Sequence, residues 1–124
     1  MKRLALALLS AAALLATSAA EVSAEPSGNA VAQACRLVWS PDPDDYAGWW
    51  GSAEVNVASA PLRSGPYAEC GSRASLQRGW PMTVYCYYNN DYGNTWFYVS
   101  AYPEGRLGWI YYGNVAFHGV IQPC

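Results

Sequence analysis

His118 is the only histidine in the chain, so any nucleophile–histidine pair would have to use it. Its neighbours Phe117 and Gly119 carry no catalytic signature, and a strand-end or surface position suits it. Asp42, Asp44 and Asp45 form the one carboxylate cluster. Paired carboxylates can cleave glycosides, and clustered ones can hold calcium. Here they lie in a proline turn, Ser40-Pro41-Asp42-Pro43-Asp44-Asp45, without the regular ligand spacing a hard cation needs. A solvated loop is the reading. No phosphate loop, zinc motif or dinucleotide fingerprint occurs. The sequence therefore proposes no catalytic residue, no metal ligand and no cofactor.

What the chain does carry is aromatic surface. It has 6 Trp, 10 Tyr and 2 Phe, all beyond residue 24, more than so small a domain can bury. Tyr85-Cys86-Tyr87-Tyr88 and Tyr111-Tyr112 place aromatics on both faces of a strand, because side chains alternate. One face is core. The other is either a sheet surface stabilised by cross-strand pairs or a binding platform, for which Tyr and Trp are suited by a rigid apolar body with a polar tip. Sugars and apolar peptide groups are the natural ligands of such rings. Trp49-Trp50 lies between Gly48 and Gly51. The two rings of an adjacent pair cannot point the same way in a strand, so one should be exposed.

These residues must be held by short strands. Ala53 to Val57 alternates. Met82-Thr83-Val84-Tyr85-Cys86-Tyr87 is β-prone, with Met82, Val84 and Cys86 expected on one face. The turn cluster Asn89 to Asn94 predicts a hairpin between 82–88 and 95–102. Pro103-Glu104-Gly105-Arg106 predicts a second hairpin into 107–112. Arg36-Leu37-Val38-Trp39 and Val120-Ile121-Gln122 are candidate flanking strands. No helix pattern of useful length follows residue 24. Short strands with regular turns indicate a small barrel or sandwich.

Four cysteines, Cys35, Cys70, Cys86 and Cys124, suggest two disulfides in an exported chain. Three pairings are possible. Cys70–Cys86 with Cys35–Cys124 is favoured: the first joins a loop to the following strand, the second ties the ends, and the two nest without crossing. The start of the chain reads as a leader. Lys2-Arg3 precedes an apolar run from Leu4 to Leu15, too short to span a bilayer, and Val22-Ser23-Ala24 suits cleavage after Ala24. This gives a signal peptide over 1–24, a frayed, small and polar start over 25–34 within an N-terminal extension of 25–52, and a domain over 53–124. The mature chain keeps five arginines against eight carboxylates, a net charge of −3. Five scattered arginines cannot form the basic stripe a phosphate backbone needs. Nucleic acid and membrane insertion are therefore not expected, and secretion is.

The order of motifs resembles the bacterial SH3-like domains of secreted proteins. Leu62-Arg63-Ser64-Gly65-Pro66 is similar to that family's loop motif. Trp96 stands where the family has a tryptophan opening its third strand. Gly108-Trp109-Ile110-Tyr111-Tyr112-Gly113-Asn114-Val115 is similar to its closing segment. The resemblance covers about half the chain, with Cys35 to Ala53 and Phe117 to Cys124 outside it. It implies an all-β fold, a small SH3-like barrel with short flanking strands. It also places Trp96, Tyr111 and Tyr112 near an exposed aromatic peptide groove, with Tyr67 as a rim. Glu69, Asp91 or Glu104 would add an acidic edge. In that setting Trp96→Ala would stay folded and lose ligand. The expected function is a secreted, non-enzymatic binding module for cell-wall peptide or glycan. An exported hydrolase inhibitor, with an extracellular protein as partner, and a carbohydrate-binding module are the alternatives.

Overall fold

A computed structural model describes Cys35 and residues 41–124. The leader with its cut after Ala24, the 25–34 stretch and the Arg36–Trp39 strand lie outside the described residues. No helix among the described residues is long and apolar enough to cross a membrane.

The chain is all-β. Eight strands follow in order: β1 Gly51–Val55, β2 Ser59–Arg63, β3 Ser72–Gln77, β4 Pro81–Asn89, β5 Thr95–Ala101, β6 Arg106–Tyr111, β7 Val115–Gly119 and β8 Gln122–Pro123. Among the described residues the only helical turns are two short 3-10 segments, Pro43–Tyr46 and Tyr112–Asn114. The first is the expected proline turn, and its Asp42 side chain caps it by accepting from the Asp44 N–H at 3.0 Å.

The sheet runs β3-β2-β6-β5-β4-β1-β7, with β8 beside β4. All pairs are antiparallel except β4–β8. The expected hairpins are present as β4–β5 and β5–β6. β2, β3 and β7 are additional to the expected strands. β2 contains Pro61, which normally argues against an inner strand. It is tolerated because β2 meets β6 only at Arg63↔Trp109, leaving Pro61 paired on one side alone, with Ser75. That single junction is tight. A Cβ on Gly108 would stand 2.7 Å from Leu62 Cγ and 2.9 Å from the Arg63 carbonyl oxygen, so only glycine permits the approach.

β3 and β7 remain as edges, so the hydrogen-bonded ladder is open. Seven strands laid flat at about 4.8 Å spacing would leave both faces wet. Instead Ala53, Leu62, Leu76, Val84, Val99, Ile110 and Val115 are buried in one cluster drawn from all seven. With no second layer among the described residues, the sheet covers that face only by curling over it.

A bulge in β4 divides the molecule. Val84 pairs with Val99 and Cys86 with Tyr98, so Tyr85 is an extra residue. Up to Val84 the even positions face the main core. Beyond Tyr85, Tyr87 joins that core while Cys86 turns to a second cluster with Trp96, Tyr98 and Trp109. The expectation that Met82, Val84 and Cys86 share one face is thereby corrected. β4 also changes partner here, pairing with β1 through Pro81–Val84 and with β8 at Cys86 and Tyr87.

The bulge also corrects the disulfides. The bonds are Cys35–Cys70 and Cys86–Cys124, not Cys70–Cys86 and Cys35–Cys124. β8 runs alongside Cys86 and brings Cys124 to it, and the Cys124 N–H donates to the Tyr87 carbonyl at 2.9 Å. Cys70 lies in a separate cluster with Tyr67, against which Cys35 packs. Disulfides of this kind indicate an oxidising compartment.

Candidate functional site

Two connections meet beside the β5–β6 hairpin. The loop from Ser64 to Gly71 links β2 and β3. It is closed by the Ser64 N–H donating to the Gly71 carbonyl at 2.9 Å and by Arg63 Nη1 donating to the Cys70 carbonyl at 2.8 Å. The Cys35–Cys70 bond fastens its far end. The turn from Asn90 to Asn94 links β4 and β5. Asn90 is the one buried polar residue of the described chain. Its Oδ1 accepts from the N–H groups of Tyr92 and Asn94, both at 3.1 Å. Its Nδ2 donates across to the Pro66 carbonyl at 2.9 Å. One amide therefore shapes the turn and ties it to the loop.

Tyr67 makes the second tie. Its ring is 3% exposed, its hydroxyl donates to Asp91 Oδ2 at 3.2 Å, and its ring meets that of Tyr92 edge-on. Burial, then nearby Tyr88 and Asp91, push its phenol from an ordinary 10.0 up to about 12. The sign of the linkage follows. Between pH 10 and 12 the unfolded chain releases a proton that the folded chain keeps, so this contribution is full below pH 10 and is lost as pH rises. Melting curves on either side of pH 10 should show the parent losing stability faster than Tyr67→Phe. Parallel losses would refute the assignment.

Between these connections and the hairpin lies a cleft of about 270 Å³ lined by Pro61, Arg63, Ala68, Asn94, Trp96, Tyr111 and Asn114. Trp96 and Tyr111 are direct cross-strand partners, with ring centroids 5.8 Å apart. Arg63 and Tyr111 are half-buried and Asn94 is exposed. Among the described residues Nε1 of Trp96 is buried and finds no acceptor. An unmet buried donor costs about 1–3 kcal/mol. Among the described residues no carboxylate lines the cleft. A second cleft of about 320 Å³ opens near Trp80, Tyr102 and Arg106, but its polar groups satisfy each other. Trp80 Nε1 donates to the Tyr102 carbonyl at 2.7 Å, and Arg106 pairs with Glu104 at 3.1 Å. The first cleft is therefore the candidate site.

No family model, curated protein or solved structure matches this chain. The site is read from its own chemistry.

The expected site residues divide. Trp96 and Tyr111 do line one cleft, but Trp96 is 4% exposed, a wall rather than an open ring. Tyr112 is exposed and stacks edge-on against Tyr111 and Phe97. Tyr67 is not a rim: its hydroxyl holds the turn and its ring is core. Glu69, Asp91 and Glu104 do not line the cleft, so its edge is cationic at Arg63 instead of acidic. Arg63, Asn94 and Asn114 join the lining beyond the expected ligand-binding residues. Arg63 lies within the Leu62–Pro66 motif and Asn114 within the Gly108–Val115 segment, which is the signal the sequence offers for those two; Asn94 has none beyond its turn. Trp49 and Trp50 are both exposed, where one was expected. His118 is exposed on β7. Among the described residues no cysteine is free and no three His, Cys, Asp or Glu gather as a metal site.

Proposed function

We propose that this protein is a secreted, non-enzymatic SH3-like binding module that holds a cell-wall peptide or glycan in the Trp96–Tyr111 cleft. The observation that carries the reading is a cleft with an aromatic wall, a buried donor without an acceptor and, among the described residues, a cation without a carboxylate partner, held between two connections that are tied to each other. Such preorganisation lowers the cost of ordering on binding. Support for the SH3-like assignment comes from the motif order along an all-β, curled, antiparallel sheet. The Leu62–Pro66 motif and the Gly108–Val115 segment both border the cleft. Disulfides suit an exported chain.

Retention on insoluble peptidoglycan, cellulose and chitin tests the proposal. The parent should be held by peptidoglycan. Tyr111→Ala combined with Asn94→Ala should lose retention at least about tenfold, a difference of roughly 1.4 kcal/mol, with unchanged circular dichroism. A folded double variant held as well as the parent would exclude this cleft. A parent that ignores peptidoglycan would exclude the cell wall.

A further inference from the structure

We infer that the cleft receives a carboxylate, the free C-terminal end of a peptide, an inference that rests on the cleft being the binding site. Charge points first. Among the described residues the one ion pair is Arg106–Glu104, so Arg63 enters the cleft as a half-buried cation without a carboxylate partner. One of its terminal nitrogens is engaged by the Cys70 carbonyl. This anchors one end of the guanidinium and leaves its other N–H groups for a ligand. A planar donor fork of this kind matches a carboxylate in two-pronged fashion.

The rest of the lining agrees. Asn94 and Asn114 bring amides, and Trp96 brings an N–H with no acceptor. A neutral sugar offers many hydroxyl donors that carboxylates would accept, and among the described residues the cleft has none. Pro61, Ala68 and the Trp96–Tyr111 pair give an apolar wall for a small terminal side chain. At about 270 Å³ the cleft falls below the roughly 300–1,000 Å³ that enclose a whole drug-sized molecule. It fits the end of a chain. Asp91, the nearest acid along the turn, accepts from Tyr67 and is held outside the lining.

The intact protein titrated with N-acetyl-alanyl-alanine and with its C-terminal amide tests this, followed by calorimetry and alongside retention on peptidoglycan. The free acid should bind at least tenfold tighter than the amide. Arg63→Gln should weaken the acid at least tenfold, toward the level of the amide, whereas Arg63→Lys, which keeps the charge without the planar fork, should retain a reduced preference for the acid. Equal binding of acid and amide overturns the inference. So does binding of neither peptide by a protein that peptidoglycan retains, which leaves the wall-binding reading standing. Acid-selective binding without retention on peptidoglycan upholds the inference and removes the wall as its source. Absence of both kinds of binding removes both.

Discussion

Replacing Cys124 with serine should lower the melting temperature by roughly 15–30 °C, from a loop-closure term near 4 kcal/mol and about 4–8 °C per kcal/mol for a domain of this size. The bond spans 38 residues. It also anchors β8 to β4 beside the bulge, over the cluster of Cys86, Trp96, Tyr98 and Trp109. Total stability for such a domain is about 5–15 kcal/mol, so this one bond is a large share. Calorimetry of the parent and the Cys86→Ser, Cys124→Ser double variant checks it, with the double variant removing any stray thiol. A shift of only a few degrees would mean that β8 is held by other contacts. Non-reducing peptide mapping should return Cys35 with Cys70 and Cys86 with Cys124.

Trp96→Ala should unfold much of the protein, since truncating a buried Trp costs about 3–5 kcal/mol. This reverses the expectation for an open groove residue. Trp96 packs on Tyr111 and shares a buried cluster with Cys86, Tyr98 and Trp109. Near-UV circular dichroism should collapse for Trp96→Ala and persist for Trp96→Phe, which keeps the ring but loses the donor. A Trp96→Ala protein with the parent's melting temperature would show that the wall is not part of the fold's support.

β4, β5 and β6 were legible because their alternation is strong and their turns carry Asn, Gly and Pro. β3 was not, because Ser72–Gln77 buries only Leu76 and has no apolar rhythm. β2 was hidden by Pro61, whose place depends on a gap between β2 and β6 that only the assembled sheet creates. The disulfide pairing is hidden in the sequence for a similar reason. One extra residue, Tyr85, reverses which side Cys86 faces, and nothing in the local sequence marks it. At the site, the β5–β6 hairpin made the Trp96–Tyr111 partnership foreseeable. The burial of Tyr67 was not, since it follows from Asn90 reaching 24 residues back to Pro66.

The connectivity of the two bonds has a consequence for biogenesis. Cys35 joins the next cysteine along the chain, and Cys86 joins the next after that. In a polypeptide threaded through a pore N-terminus first, each thiol would meet its correct mate before any wrong one had emerged. A nested arrangement would leave Cys35 waiting for the final residue, exposed to Cys70 and Cys86 in turn. In an exported chain, sequential pairing would let a simple oxidase complete the molecule in order of emergence, with no reshuffling by an isomerase.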